Sequence, residues 1–174
     1  MNAKHYHCLV IELLRSLFHY QAWADAAILG ALQAHPQSLH DEWLFKTLHH
    51  IVTAQRIYLS RCLARPVDAP KESPASFDQL VQIFRATHHE ELAFVEGLAN
   101  ADLERRFEMP ALDSHPTVAE GLTQVVLHGQ NHRGQCLTRL RENGAKPPTL
   151  DYILWAKTRP VPCWPASSPP SKSA

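Results

Sequence analysis

The chain has 174 residues and a mass of 19.7 kDa, the size of one domain, and its 45% hydrophobic and 20% charged residues exclude a disordered, collagen-like or disulfide-scaffold polypeptide. Lys plus Arg and Asp plus Glu number 17 each, and this formal net charge of zero gives no electrostatic reason to expect nucleic acid or an anionic membrane as partner. Against that neutral background stand 12 His, 13 Pro and only 6 Gly.

Proline costs a helix interior a hydrogen bond and clashes with the preceding turn, so the long Pro-free windows are candidate helices. Pro36, Pro66, Pro74, Pro110, Pro116 and Pro147 bound four of them, and predict helices over 8–34, 40–64, 76–99 and 117–143. In the first, Leu13, Leu17, Tyr20, Ala24, Ala27 and Ala31 recur at three- and four-residue spacing and read as the core-facing stripe. Glu12 and Arg15 break the apolar run from Cys8 to Phe18, so it makes neither a signal peptide nor a membrane span. Cys8, Cys62, Cys136 and Cys163 are scattered with no Cys-x-x-Cys pair, which fits reduced thiols. A soluble, cytoplasmic protein is the expectation.

The second helix has an apolar arc of Leu44, Leu48, Ile51, Ala54, Ile57, Tyr58 and Cys62; His50 sits at its edge and reads as the inward member of the His49-His50 pair. His49 shares a face with Thr53, Arg56 and Ser60, which reads as solvent-facing. Ser76 with Gln79 has capping-box spacing at the start of the third helix. There His88 and His89 stand among Thr87, Glu90 and Glu91 on what reads as a charged surface, at most one of the two facing inward. A connector over 101–116 contains Arg106-Phe107-Glu108-Met109, a run compatible with extended chain. Thr117 with Glu120 repeats the capping box, and Asn143-Gly144 before Pro147-Pro148 stops the fourth helix, with Gly144 suited to a left-handed conformation. The apolar run Tyr152-Ile153-Leu154-Trp155 is expected to dock on the bundle or on a partner, and the prolines and serines from Pro160 onward make a tail that cannot pack as a helix. The expectation is an all-α four-helix bundle over 1–156 followed by a Pro/Ser-rich tail over 157–174.

Residues four apart share a helix face, and His128 and His132 have that spacing. On the fourth helix the apolar arc holds Val118, Leu122, Val125, Val126, Cys136 and Leu140, with His132 inside it and His128 at its edge. Buried neutral imidazoles need partners, which hydrogen bonds, water or a divalent metal can provide. His50 lies about 15 Å from the start of its helix and the midpoint of His128 and His132 about 20 Å from the start of theirs, so all three can meet at one level. Three imidazoles without a fourth protein ligand match an open, catalytic type of metal site. His5, His7, His35, His40 and His115 lie near ends or in connectors, and His19 can face either way. No carboxylate among Glu42, Glu90, Glu91 and Glu120 is identifiable as a general base.

The segment His128-Gly-Gln-Asn-His132-Arg133-Gly134-Gln135 resembles the His-x-x-x-His-Arg-Gly-Gln signature of the DinB-like (DinB/YfiT) family of small bacterial metalloproteins. Leu48-His49-His50-Ile51 is similar to that family's second-helix ligand segment, Tyr20-Gln-Ala-Trp23-Ala-Asp25 to its first-helix segment, and Pro147 through Trp155 to its Pro-rich exit. The resemblance spans roughly residues 9–156. It implies a four-helix bundle with a crossover connection, a three-His site for zinc, nickel or a similar divalent ion, and frequent homodimers; the chain departs from the family pattern at Gln21 and Asp25, where Asn is common, and in its tail after Trp155, departures that count against the family's dimer contacts more than against its metal. Relatives include transferases of low-molecular-weight thiols and a thiol-dependent isomerase. The expected chemistry is activation of a thiol or water by a metal held on His50, His128 and His132, acting on a small-molecule substrate. Gln135 and Arg139, on the projected face of His128, would orient the cofactor or attract an anionic thiol carboxylate. Arg133 projects away and reads as a structural ion pair, and Cys136 as core. A metal-dependent hydrolase and a non-catalytic metal-binding dimer used in stress response remain the alternatives.

Overall fold

A computed structural model describes residues 3–166, with side chains from residue 9 onward; the expectations for His5, His7, Cys8 and the tail beyond residue 166 lie outside these described residues. The order is α1 (Ala3–Gln33), a 3-10 turn (Pro36–His40), α2 (Glu42–Cys62), α3 (Phe77–Glu96), α4 (Asn100–Glu104), a 3-10 turn (Pro110–Leu112), α5 (Val118–Glu142) and α6 (Tyr152–Thr158). The molecule is all-helical, with isolated Arg106–Thr117 and Met109–Ser114 bridges as the extended pairing in the connector.

Local chemistry sets the boundaries. Asp41 caps α2 by accepting from the Trp43 and Leu44 amides at 3.0 and 3.1 Å. Ser76 caps α3 through the Gln79 amide, while the Gln79 side chain reaches one residue further back, to the Ala75 amide. Thr117 and Glu120 form the full reciprocal capping box of α5. Past α5, Gly144 adopts φ +84°, the left-handed conformation that needs no Cβ.

The four long helices form a square in which α1 packs on α3 and α5, and α2 on α5 and α3, so α1 and α2 lie across a diagonal. One apolar cluster joins the C-terminal half of α1 (Ile28, Leu29, Leu32) to the starts of α2 (Leu44, Leu48) and α3 (Leu80, Phe84) and the end of α5 (Cys136, Leu140). A second joins the start of α1 (Ile11, Leu14, Phe18) to the ends of α2 (Cys62) and α3 (Val95) and the start of α5 (Val118, Leu122). The directions are therefore up, down, down, up. Because α2 and α3 run parallel, residues 63–76 must return along the whole length of α2, about 31 Å, and they are the crossover.

That crossover corrects one expectation. The His49, Thr53, Arg56 and Ser60 face of α2 is covered: Arg56 donates from Nε to the Asp68 carbonyl at 2.7 Å, and Ser60, fully buried, accepts from the Asp68 amide at 3.2 Å. The stripe expected on α1 holds at Tyr20 and Ala24, which are buried, and at Leu17, Ala27 and Ala31, which pack against the core, but not at Leu13, which is 53% exposed. Beside it a second inward row runs through Ile11, Leu14, Phe18, Gln21, Asp25, Ile28 and Leu32. Two polar residues in this second row turn the apparent apolar stripe toward its neighbour.

After α5, Tyr20 donates to the Leu150 carbonyl, the Tyr152 and Ser16 hydroxyls are 2.9 Å apart, and Trp155 is buried, so α6 docks on α1 through one face while Ile153 stays exposed. Beyond it, irregular chain follows the bundle. Trp164 lies over His88 at 5.6 Å between ring centroids, and Gln33 Nε2 donates to the Ala166 carbonyl at 3.0 Å.

Candidate metal centre

The antiparallel α2–α5 pair brings His50 from one helix to His128 and His132 on the other, and one ligand nitrogen from each imidazole falls within 4.8 Å of the others. Nε2 of His50 and Nε2 of His128 are 3.0 Å apart, near the ~3.3 Å that separates two nitrogens bound tetrahedrally at ~2.0–2.1 Å from zinc. The rings meet edge-on, with centroids 4.5 to 4.9 Å apart. The donor set therefore fits a divalent ion with positions left open to solvent. The trio does not point into the core as the helical projection suggested: His50 is exposed and His128 and His132 are half-buried. The inward position on α5 belongs to Arg133, whose charge hides it from an apolar projection.

Electrostatics favours the neutral imidazoles that metal ligation requires. Burial, then His132, His50 and Arg133, push His128 down to about 4. Burial, then His132 and His49, lower His50. Gln135 Oε1 lies 2.8 Å from His132 Nδ1; a carbonyl oxygen only accepts, so Nδ1 donates to it and Nε2 is the nitrogen left to face a metal. Among the described residues, none of these three imidazoles bonds a carboxylate.

Gln135 also opens a cleft of about 460 Å³ between α2 and α5, lined further by Trp43, Thr138, Arg139 and Glu142. Arg139 is not a free anion-binding group. Its Nε donates to Asp41, the cap of α2, at 2.7 Å, and its Nη1 to Glu142 at 3.3 Å.

Behind the histidines, all four long helices contribute to a buried polar layer that separates the two apolar clusters. Asp25 on α1 accepts from Arg133 Nη1 of α5 at 3.1 Å, from His88 Nε2 of α3 at 2.8 Å and from Gln55 Nε2 of α2 at 3.2 Å. Glu91 lies 3.0 Å from His88 Nδ1, without the alignment of a hydrogen bond. Gln21 accepts from Arg133 Nη2 at 3.4 Å. Burial would raise the Asp25 carboxyl, but Arg133 and His88 outweigh it and hold it below its ordinary value. Burial opposes the charge on His88 too, and its carboxylate neighbours still lift it to about 9. Glu91 is raised because burial dominates.

This layer overturns the surface reading of His88 and Glu91, which are core residues, each 1% exposed; His89 is the outward member of its pair, and Gln21 and Asp25 are fully buried. Arg133 is the structural ion pair that its projection indicated. The overlooked signal was positional: Gln21 and Asp25, four apart, continue the heptad row of Leu14 and Phe18, and Gln55 continues that of Leu48 and Ile51.

Residues 31–136 match the family model described as the DinB superfamily. No curated protein matches the chain.

Proposed function

The chain belongs to the DinB superfamily, and we propose that it is a metal-dependent enzyme of the thiol S-transferase type, binding zinc or nickel through His50, His128 and His132. The observation that carries this reading is the convergence of three imidazoles on a point open to solvent, beside a ligand-sized cleft whose edge is Gln135, the partner of His132. A divalent ion with open positions lowers the pKa of a thiol or water that reaches it. The protein's own part is to hold the donors: Gln135 fixes the tautomer of His132, and burial beside Arg133 keeps His128 unprotonated. A low-molecular-weight thiol is preferred to water as the activated group because a free thiol, with a pKa of about 8.5, is far more acidic than water and its thiolate is the stronger nucleophile. Gln135 and Arg139 would line the path of that thiol. Assembly as a homodimer is part of the same proposal. We place the catalytic unit within residues 1–156 and the protein in the cytoplasm.

The test starts from purified wild type and His128→Ala. Metal analysis is expected to find about one divalent ion per chain in the first and a loss of at least tenfold in the second; equal content in both sinks the site. A panel of thiols is then offered monochlorobimane with and without added metal. Metal-dependent conjugation by one thiol is the expected result, and silence across thiols and esters leaves a non-catalytic metal-binding dimer.

A further inference from the structure

We propose that the far end of the α2–α5 cleft recognises a zwitterionic head, a carboxylate and an ammonium on one carbon as in a free amino-acid end, with Arg139 and Glu142 as its two poles and Trp43 as its apolar wall. For the ligand's other end this rests on the metal-site reading above. Trp43 stands seven residues before His50 and Arg139 seven after His132, two helical turns in each case, so each lies on nearly the same face as its histidine about 10.5 Å away. The two helices are antiparallel, so both displacements point to the same end of the groove. A ligand extending from the histidines in that direction passes Gln135 and the indole of Trp43, which is 43% exposed, before it reaches the charged pair.

The pair is built rather than incidental. Asp41 is fixed by capping α2 and by Asn143 Nδ2 at 2.8 Å, and it fixes Arg139 through Nε. With Nη1 on Glu142 Oε2, the guanidinium keeps Nη2 and Glu142 keeps Oε1 without a partner among the described residues. The same ion pair thus leaves one donor and one acceptor. A simple anion would meet Asp41 and Glu142 as well as Arg139, and a simple cation would leave Nη2 unpaired; a zwitterion engages both poles at once. This replaces the expectation of a lone carboxylate held by Arg139.

Isothermal titration calorimetry on the zinc-loaded full chain tests it with two probes: glutathione, and glutaryl-cysteinylglycine, which lacks only the α-ammonium. Wild type is expected to prefer glutathione by about tenfold, as one charge-assisted contact provides. Glu142→Gln is expected to erase that preference, while Trp43→Ala weakens both probes alike. Equal affinity of wild type for the two probes, a preference that survives Glu142→Gln, or no heat from either probe at millimolar concentration overturns the proposal. S-methylglutathione separates the two readings, because its sulfur cannot ionise. If it binds the metal-free chain as tightly as glutathione binds the zinc form, with the Glu142 dependence intact, the zwitterion subsite stands and the metal reading falls.

Discussion

Asp25 Oδ1 and Arg133 Nη1 lie 3.1 Å apart with both side chains fully buried, joining α1 to α5 on the side of α5 opposite the metal-face histidines. A buried pair adds little over a well-packed apolar one, but losing a single partner strands a charge. Asp25→Asn is therefore expected to cost about 3–5 kcal/mol in urea unfolding. Asp25→Leu combined with Arg133→Met should cost far less than the two single changes added together; strict additivity would show that the pair is not coupled.

Gly129 sits where that pair needs room. A Cβ there would come within 2.8 Å of Gln21 Oε1 and 2.9 Å of Arg133 Nη1, whereas one at Gly134 would meet nothing within 4 Å. Gly129→Ala is expected to destabilise by about 1–3 kcal/mol through displaced side chains. Gly134→Ala should stabilise by up to about 1 kcal/mol, the difference in helix propensity. Thermal denaturation of the two variants, one turn and a half apart on α5, checks the opposite signs.

Stability should fall as the solution turns alkaline. His88 is lifted to about 9 against an ordinary 6.5 by the Asp25 and Glu91 carboxylates, which overcome the opposing effect of burial, with Gln55 and Arg133 completing its surroundings. A group raised on folding contributes fully below pH 6.5, and the contribution fades as pH rises through about 9. The gap corresponds to at most about 3 kcal/mol. Urea midpoints of wild type should decline across that window and those of His88→Gln should stay nearly flat; parallel profiles would remove His88 as the source. On the acid side Asp25, lowered on folding, contributes above its ordinary value and is lost as pH falls.

Zinc at a hundredfold excess over its dissociation constant should stabilise the chain by about 2.7 kcal/mol through mass action. His50→Ala and His132→Ala should abolish that gain while leaving the metal-free melting temperature nearly unchanged, because His50 is exposed and His132 half-buried. Scanning fluorimetry with and without zinc reads both effects.

The helices were legible because proline punctuation and capping residues act locally: Pro36, Pro74, Thr117 with Glu120, and Gly144 each mark a boundary found in the fold. The meeting of His50 with His128 and His132 was legible because helical spacing and axial level are enough to bring them together. Which side of each helix faced inward was less so. Hydrophobic periodicity assumes an apolar interior, and here Gln21, Asp25, Gln55, His88, Glu91 and Arg133 occupy interior positions. Each polar side chain turns the apparent stripe toward its neighbours, which moved Leu13 inward and Arg133 outward on paper. The covering of Arg56 and Ser60 by the crossover depends on helix directions, and those follow from contacts distant in sequence.

The up-down-down-up order has a kinetic consequence. The antiparallel neighbours are α1 with α3 and α2 with α5, each separated in sequence by another long helix, while α1 and α2 lie on a diagonal and α2 and α3 run parallel. No two consecutive long helices form a local antiparallel hairpin on which folding can nucleate. Loop closure must precede the first stabilising contacts, so this bundle should fold more slowly than an up-down-up-down bundle of equal length and stability.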